Sequence, residues 1–147
     1  MFSETDLPLH IRYRVTDAGT LREAQCDSRL WVALTGDRMP VGFAMVDTID
    51  GVAHLDELDV LPEFGRRGIG TRLVNTIIDW ARENRSPRVT LTTFRHLPWN
   101  APFYEKLGFV TMADEELGAG LVGLLRDEAR AGLDRSKRIC MRRDLAT

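Results

Sequence analysis

The residues best suited to chemistry in this chain lie in Leu58-Asp59-Val60-Leu61-Pro62-Glu63-Phe64-Gly65-Arg66-Arg67-Gly68-Ile69-Gly70-Thr71-Arg72-Leu73. They read as the end of a strand, a short turn and the opening of a helix. From Gly68 onward Ile69, Leu73, Ile77 and Ala81 recur every fourth position, Val74 and Ile78 widen the stripe, and Arg72, Asp79, Arg82 and Glu83 stand opposite. That is the amphipathic helical period. The helix therefore begins inside the glycine-rich turn, where its first backbone N–H groups have no partner in the chain and the dipole is positive. A phosphate supplies the missing acceptors. Gly68 and Gly70 carry no Cβ, so an anion can come close to the backbone, and Arg66, Arg67 and Arg72 add side-chain charge.

Spacing separates this cradle from two other phosphate loops. A G-x-x-x-x-G-K-[ST] loop would run from Gly65 to Gly70, but Thr71-Arg72 stands where Lys-[ST] is needed. A dinucleotide fingerprint starting at Gly68-Ile69-Gly70 needs a third glycine where Leu73 stands. The stretch resembles instead motif A of the GNAT N-acetyltransferase superfamily, a Val-x-Pro strand end followed by [Q/R]-x-x-G-x-[G/A]. Here these are Val60-Leu61-Pro62 and Gly65-Arg66-Arg67-Gly68-Ile69-Gly70, with Gly65 in place of the family's Gln or Arg. A second segment, Trp99-Asn100-Ala101-Pro102-Phe103-Tyr104-Glu105-Lys106-Leu107-Gly108-Phe109, is similar to the family's Asn-x-x-[x]-[FLY]-Tyr-x-x-x-Gly-Phe. Two motifs in this order, with a helix and a strand between them, are far more specific than either alone.

The resemblance implies that acetyl-CoA is the cosubstrate. Its pyrophosphate would rest on the backbone from Gly65 through Gly68, Ile69, Gly70 and Thr71, beside Arg66 and Arg67. Its pantetheine arm would enter a gap where the strand ending at Val60 splays from its parallel neighbour, pairing with backbone along Leu58, Asp59 and Val60. Asn100 would hydrogen-bond the arm or the alkyl phosphate, with Phe103 also at the cofactor, and Tyr104 would sit beside the thioester sulfur. A tyrosine suits that place. The leaving thiolate has a pKa of about 8.5, and a phenol of pKa about 10 is still protonated at neutral pH and can donate to the sulfur as charge builds. The other reading of Tyr104 is a packed aromatic whose hydroxyl merely finds a partner.

An acceptor amine is largely protonated at neutral pH and must lose a proton to attack. Glu57, among the acids Asp56, Glu57 and Asp59, is the chosen base; its alternative is a solvated charge on a half-exposed strand. His54 and His96 compete for the role. Thr92 occupies the position where some relatives place a glutamate. The backbone N–H of Leu58 or Val60 would polarise the thioester carbonyl. No serine, cysteine or metal cluster suggests a covalent intermediate, so the expected mechanism is direct attack by a primary amine in a ternary complex. A non-catalytic acyl-CoA-binding module or sensor is the alternative. The acceptor, a small molecule or a peptide amine, is left open, and Asp56, Glu57, Glu115 and Glu116 would suit a cationic one.

The elements that must position these groups follow the chain. Asp17 to Asp27 reads as a helix. Arg29 to Leu34 and Val41 to Val46 read as a hairpin about Gly36-Asp37, and Asp50-Gly51 turns into a strand from Val52 to Val60. After the helix of residues 68–84, Val89 to Phe94 is a β-branched strand, and a strand, helix, strand unit of this length favours a parallel pair. A short helix through Phe103 and Tyr104 ends at Gly108. Phe109 to Met112 and Ile139 to Arg142 are short strands. Between them Asp114 to Leu133 has leucines at helical spacing, interrupted by Gly118, Gly120 and Gly123 at about 1 kcal/mol each relative to alanine. It reads either as a helix packed on the sheet edge or as a lid.

The expected fold is α/β (α+β), a GNAT-like mixed sheet of about six strands with flanking helices, in one domain over residues 1–147. The family's first strand and helix would be reduced or missing, an edge that a partner copy in a homodimer would complete. With 44% apolar and 29% charged residues and a net charge of -2, the chain reads as an ordinary globular protein rather than a nucleic-acid binder. No run reaches the roughly 18 apolar residues of a membrane span, and Met1-Phe2-Ser3-Glu4 lacks a signal pattern, so the expected location is cytoplasmic with no membrane partner. Cys26 and Cys140 stand apart, without metal-ligand spacing.

Overall fold

The computed structural model describes residues 29–37, 39–65, 68–95 and 100–145. The helix read over residues 17–27, the reduced N-terminal strand and Cys26 lie outside the described residues. Six strands, β1 Leu30–Leu34, β2 Pro40–Ile49, β3 Val52–Val60, β4 Arg88–Phe94, β5 Val110–Thr111 and β6 Arg138–Asp144, form a mixed sheet in the order β1-β2-β3-β4-β6-β5. Three α-helices join them: α1 Ile69–Glu83, α2 Asn100–Lys106 and α3 Ala119–Arg130. The parallel pair is β3 with β4, Ala53 opposite Val89 and His54 opposite Thr90, whereas β4 with β6 and β5 with β6 are antiparallel. A helical crossover from one strand to the next imposes that parallel sense. The expected fold class is the observed one.

The chain divides into two compact units, Met1–Asp47 with Leu55–Trp80, and Thr48–His54 with Ala81–Thr147. In the first, β1 and β2 form a hairpin closed by the Thr35 N–H donating to the Met39 carbonyl at 2.9 Å. Trp31 meets Trp80 edge to face with ring centroids 5.6 Å apart. Helix α1 buries Leu73, Val74, Ile77 and Ile78, the stripe expected from its period; each such side chain contributes about 1.5–3 kcal/mol of transfer free energy. A Cβ on Gly42 would stand 2.8 Å from the Asp59 carbonyl oxygen, so glycine is what lets β2 and β3 approach there.

The second unit has its core at Met112, Leu121, Leu125 and Cys140, with Ile49, Leu117 and Leu124 packed against it. The stretch 114–133 is not one helix. It forms a 3₁₀ turn at Asp114–Glu116, runs extended through Gly118, and becomes helical as α3. The start of α3 is fixed from a distance in sequence. Asp50, in the turn between β2 and β3, accepts the Gly120 N–H at 2.7 Å and the Leu121 N–H at 3.1 Å, satisfying two donors that a helix start leaves open. A Cβ on Gly118 would lie 2.6 Å from Asp50 Oδ2, and one on Gly120 2.7 Å from Oδ1. These two glycines make room for a cap, and α3 is a packed helix.

Candidate active site

In the first unit the described residues that flank the expected cradle are the end of β3 with the turn after it and the start of α1. Leu58 is buried, Asp59 and Val60 are half-buried, and the Leu61 N–H donates to the Val41 carbonyl at 2.8 Å where β3 ends. Pro62–Phe64 make a single 3₁₀ turn, and the Gly65 N–H closes it on the Pro62 carbonyl at 3.2 Å. Gly68 has φ +80°, the left-handed region that glycine enters without strain, and among the described residues nothing lies within 4 Å of where its Cβ would point. The Arg72 N–H donates to the Gly68 carbonyl at 3.0 Å, which is the first turn of α1. The N–H groups of Ile69, Gly70 and Thr71 therefore precede any helical acceptor, and no acidic side chain occupies that first turn. Arg66 and Arg67 lie outside the described residues.

Glu57 is 1% exposed and engaged inside the protein. This rules out the reading of Glu57 as a solvated surface charge. Burial pushes the Asp59 carboxyl above its ordinary range, and a hydrogen bond from the Val60 backbone partly opposes the shift. His54 belongs to the second unit, where its Nδ1 meets Thr90 Oγ1 at 2.7 Å in a buried cross-strand pair. It is a strand-pairing group. His96 lies outside the described residues.

In the second unit Asn100, Phe103 and Tyr104 share α2, and the C-terminus of that helix explains the Tyr-x-x-x-Gly-Phe spacing. The Gly108 N–H donates to the Glu105 carbonyl at 3.0 Å, the Phe109 N–H donates to the Tyr104 carbonyl at 3.0 Å, and Gly108 has φ +90°. This is the Schellman arrangement, which needs a glycine at its left-handed position. Tyr104 is thereby tied through its own carbonyl to Phe109. Its ring is also held edge-on, 5.0 Å from Phe103 and 5.7 Å from Phe109. Tyr104 is 5% exposed, and burial drives its phenol far above the ordinary range while the charge of Arg138 pulls it back. One helical turn earlier, Asn100 is 7% exposed and its Nδ2 is buried with no hydrogen-bond partner among the described residues. Residues four apart share a helix face.

A third group was not anticipated from sequence. Arg138, at the start of β6, donates from Nε to Glu128 Oε1 at 3.1 Å and from Nη2 to Thr92 Oγ1 at 2.9 Å. Its guanidinium lies 4.7 Å from the centre of the Phe94 ring. Glu128 comes from α3 and Thr92 from β4, so residues far apart in the chain meet in one polar cluster. The only trace in the sequence is an arginine opening the apolar run Ile139-Cys140-Met141.

Residues 2–109 match the model of the acetyltransferase (GNAT) family. The match starts at residue 2, so the N-terminal stretch is part of the similarity. The S-(2-succino)cysteine N-acetyltransferase of Bacillus subtilis (strain 168) is 34% identical over 76 residues, 48% of this chain and 44% of that protein, so the chain spans less than half the length of that relative. Two solved structures share the fold at low identity. The N-acetylglutamate synthase of Neisseria gonorrhoeae, complexed with coenzyme A and N-acetyl-glutamate, superposes with TM-score 0.73 at 21% identity, covering 98% of this chain and 30% of that one. The PaiA N-acetyltransferase of Thermoplasma acidophilum, in complex with coenzyme A, gives 0.63 at 17% identity over 86% and 70%.

Proposed function

The chain belongs to the acetyltransferase (GNAT) family, and on that premise we propose that it transfers an acetyl group from acetyl-CoA to a primary amine by direct attack. The observation that carries the proposal is the pairing on α2: a buried tyrosine held by its own Schellman turn, and one turn earlier a buried amide donor without a partner among the described residues. An orphaned buried donor costs about 1–3 kcal/mol, and a ligand carbonyl or phosphate oxygen removes that cost. The glycine turn fits the same cosubstrate. The space at Gly68, which no other described residue enters, and the N–H groups of Ile69, Gly70 and Thr71 suit a diphosphate, and Gly65, Arg66 and Arg67 would stand beside it. Asn100 and Phe103 would hold the pantetheine arm, together with the backbone of Leu58, Asp59 and Val60.

Acetyl-CoA supplies the activated acetyl group. The protein's own residues move protons. Glu57 takes the proton that the acceptor amine must lose, and Tyr104 gives its phenolic proton to the departing sulfur. Thr92, bonded to Glu128 and Arg138, serves neither step. The relatives include a cysteine-derivative acetyltransferase, and a primary amine on a small molecule or peptide is the substrate class proposed here.

The test is thiol release from acetyl-CoA across a panel of amines, run beside Tyr104→Phe. Turnover falls by about 10²-fold or more in the variant, while coenzyme A binding measured by calorimetry stays within about twofold. Tight binding with no turnover on any amine would instead identify an acyl-CoA sensor.

A further inference from the structure

We propose that Arg143 of β6 is a positioning residue for Tyr104: its guanidinium clamps the turn that ends α2 and so fixes where the phenol stands when the thiolate leaves. The inference rests on the acetyltransferase reading and extends it to a residue outside both sequence motifs. Arg143 Nη1 donates to the Leu107 carbonyl at 2.9 Å. Its stem crosses Gly108, with Cδ and Nε each 3.4 Å and Cζ 3.6 Å from where a Cβ would stand there. Strand register brings this about. Val110 of β5 pairs with Arg142, so the chain leaving the turn at Phe109 runs beside Arg143.

The length of α2 makes such a clamp necessary. It has 7 residues, and isolated helices shorter than about 12–15 residues are marginal in water. Its last carbonyls lack helical donors. The Tyr104 carbonyl accepts the Leu107 N–H at 2.9 Å and the Phe109 N–H at 3.0 Å, the Glu105 carbonyl accepts the Gly108 N–H, and the Leu107 carbonyl takes Arg143, a cation at the negative end of the helix. Fraying this turn releases both bonds to Tyr104 and shifts Phe109, whose ring centre lies 5.7 Å from that of Tyr104. The adjacent Arg142 pairs instead with Glu116 and Asp144. Among the described residues Arg143 has no carboxylate partner, and its hydrogen bond goes to the turn. In the reaction the amine nitrogen bonds to the acetyl carbon, the C–S bond breaks with its electron pair going to sulfur, the Tyr104 proton moves to that sulfur and the amine proton goes to Glu57. One proton passing through water from Glu57 to the phenolate resets both groups, so the products are the acetamide and the free thiol. A misplacement of about 1 Å at such a step costs about 10²-fold in rate.

The experiment is a double-mutant cycle. Arg143→Met keeps an apolar stem over Gly108 and removes the donor and the charge, with Arg143→Gln in its place should it not fold, and Arg143→Lys keeps a donor for the carbonyl. Each is measured in the native and the Tyr104→Phe background. In the native background Arg143→Met lowers kcat by about tenfold, part of what a full displacement would cost, while KM for acetyl-CoA changes less than about twofold and Arg143→Lys recovers most of the rate. In the Tyr104→Phe background the same change costs less than about twofold further. Hydrogen exchange, which needs no turnover, shows the Phe109 amide exchanging at least about tenfold faster in Arg143→Met. An unchanged kcat, an equal loss in both backgrounds, or unchanged exchange at Phe109 overturns the proposal and leaves the acetyltransferase reading standing. A native protein that releases no thiol with any amine overturns that reading, and the positioning role with it, before any variant is made.

Discussion

Two glycines in one helix should respond to alanine with opposite signs. In a helix interior, Gly→Ala ordinarily gains about 1 kcal/mol. Gly123 of α3 meets that rule, because the nearest atom to a Cβ placed there is the mobile end of Arg126, Nη2, at 3.5 Å. Gly120 does not. Its Cβ would come to 2.7 Å from both Asp50 Oδ1 and Ile49 Cγ2, distances at which something has to move. The side chain that moves is the cap, with its bonds of 2.7 and 3.1 Å to Gly120 and Leu121. Losing a cap costs about 0.5–2 kcal/mol, and displacing Ile49 disturbs the packing around Leu121. Gly120→Ala should therefore destabilise by about 1 kcal/mol where Gly123→Ala stabilises by about as much. A gap of about 2 kcal/mol corresponds to about 4–8 °C in melting temperature for a chain of this size. Urea unfolding and thermal melts of both variants, with Asp50→Ala as the cap deletion, would measure it. If both alanines stabilise equally, the capping argument is wrong.

Three further outcomes follow from the geometry. Gly68→Val forces a branched side chain to φ +80° and fills the space above the first turn of α1, so coenzyme A affinity should drop at least about tenfold, or 1.4 kcal/mol; calorimetry showing unchanged affinity would contradict the cradle. The Cys140 thiol is pushed up to about 11, chiefly by burial, so in the folded protein at pH 8 iodoacetamide should leave the Cys140 peptide unlabelled until urea is added; rapid labelling without urea would refute this. Asp59 has its carboxyl raised in the folded state, so folding is penalised as pH rises above the unfolded value of about 3.9, and the penalty persists above the folded value. Asp59→Asn should accordingly raise the urea midpoint at pH 7 and lose that advantage near pH 3, whereas an equal shift at both would exclude a titration origin.

Much of the fold was legible because two periodicities are plain. The fourfold apolar recurrence from Ile69 marks α1, and Val52 to Val60 is bounded by an Asp-Gly turn on one side and Pro62 on the other. The Gly108-Phe109 pair gave the end of α2, since a left-handed glycine is what a Schellman turn requires. What sequence could not carry is long-range. Nothing near Gly118 or Gly120 says that a carboxylate from position 50 will occupy the space they leave, so a propensity count treats them as weaknesses. Glu57 looks like a surface charge because its neighbours Asp56 and Asp59 are acids, yet it is almost wholly buried. Arg138, Glu128 and Thr92 are separated by at least ten residues and meet through tertiary packing alone.

The turn at Asp50-Gly51 is exposed, short and built from the residues that hairpins favour. By appearance it is where one would open the backbone to make new termini, or graft a tag. Its carboxylate, however, is the nucleation point for a helix that starts some seventy positions later. A cut there would separate a strand pair and also unfasten the far segment, so the safest-looking loop of the chain is among its least expendable.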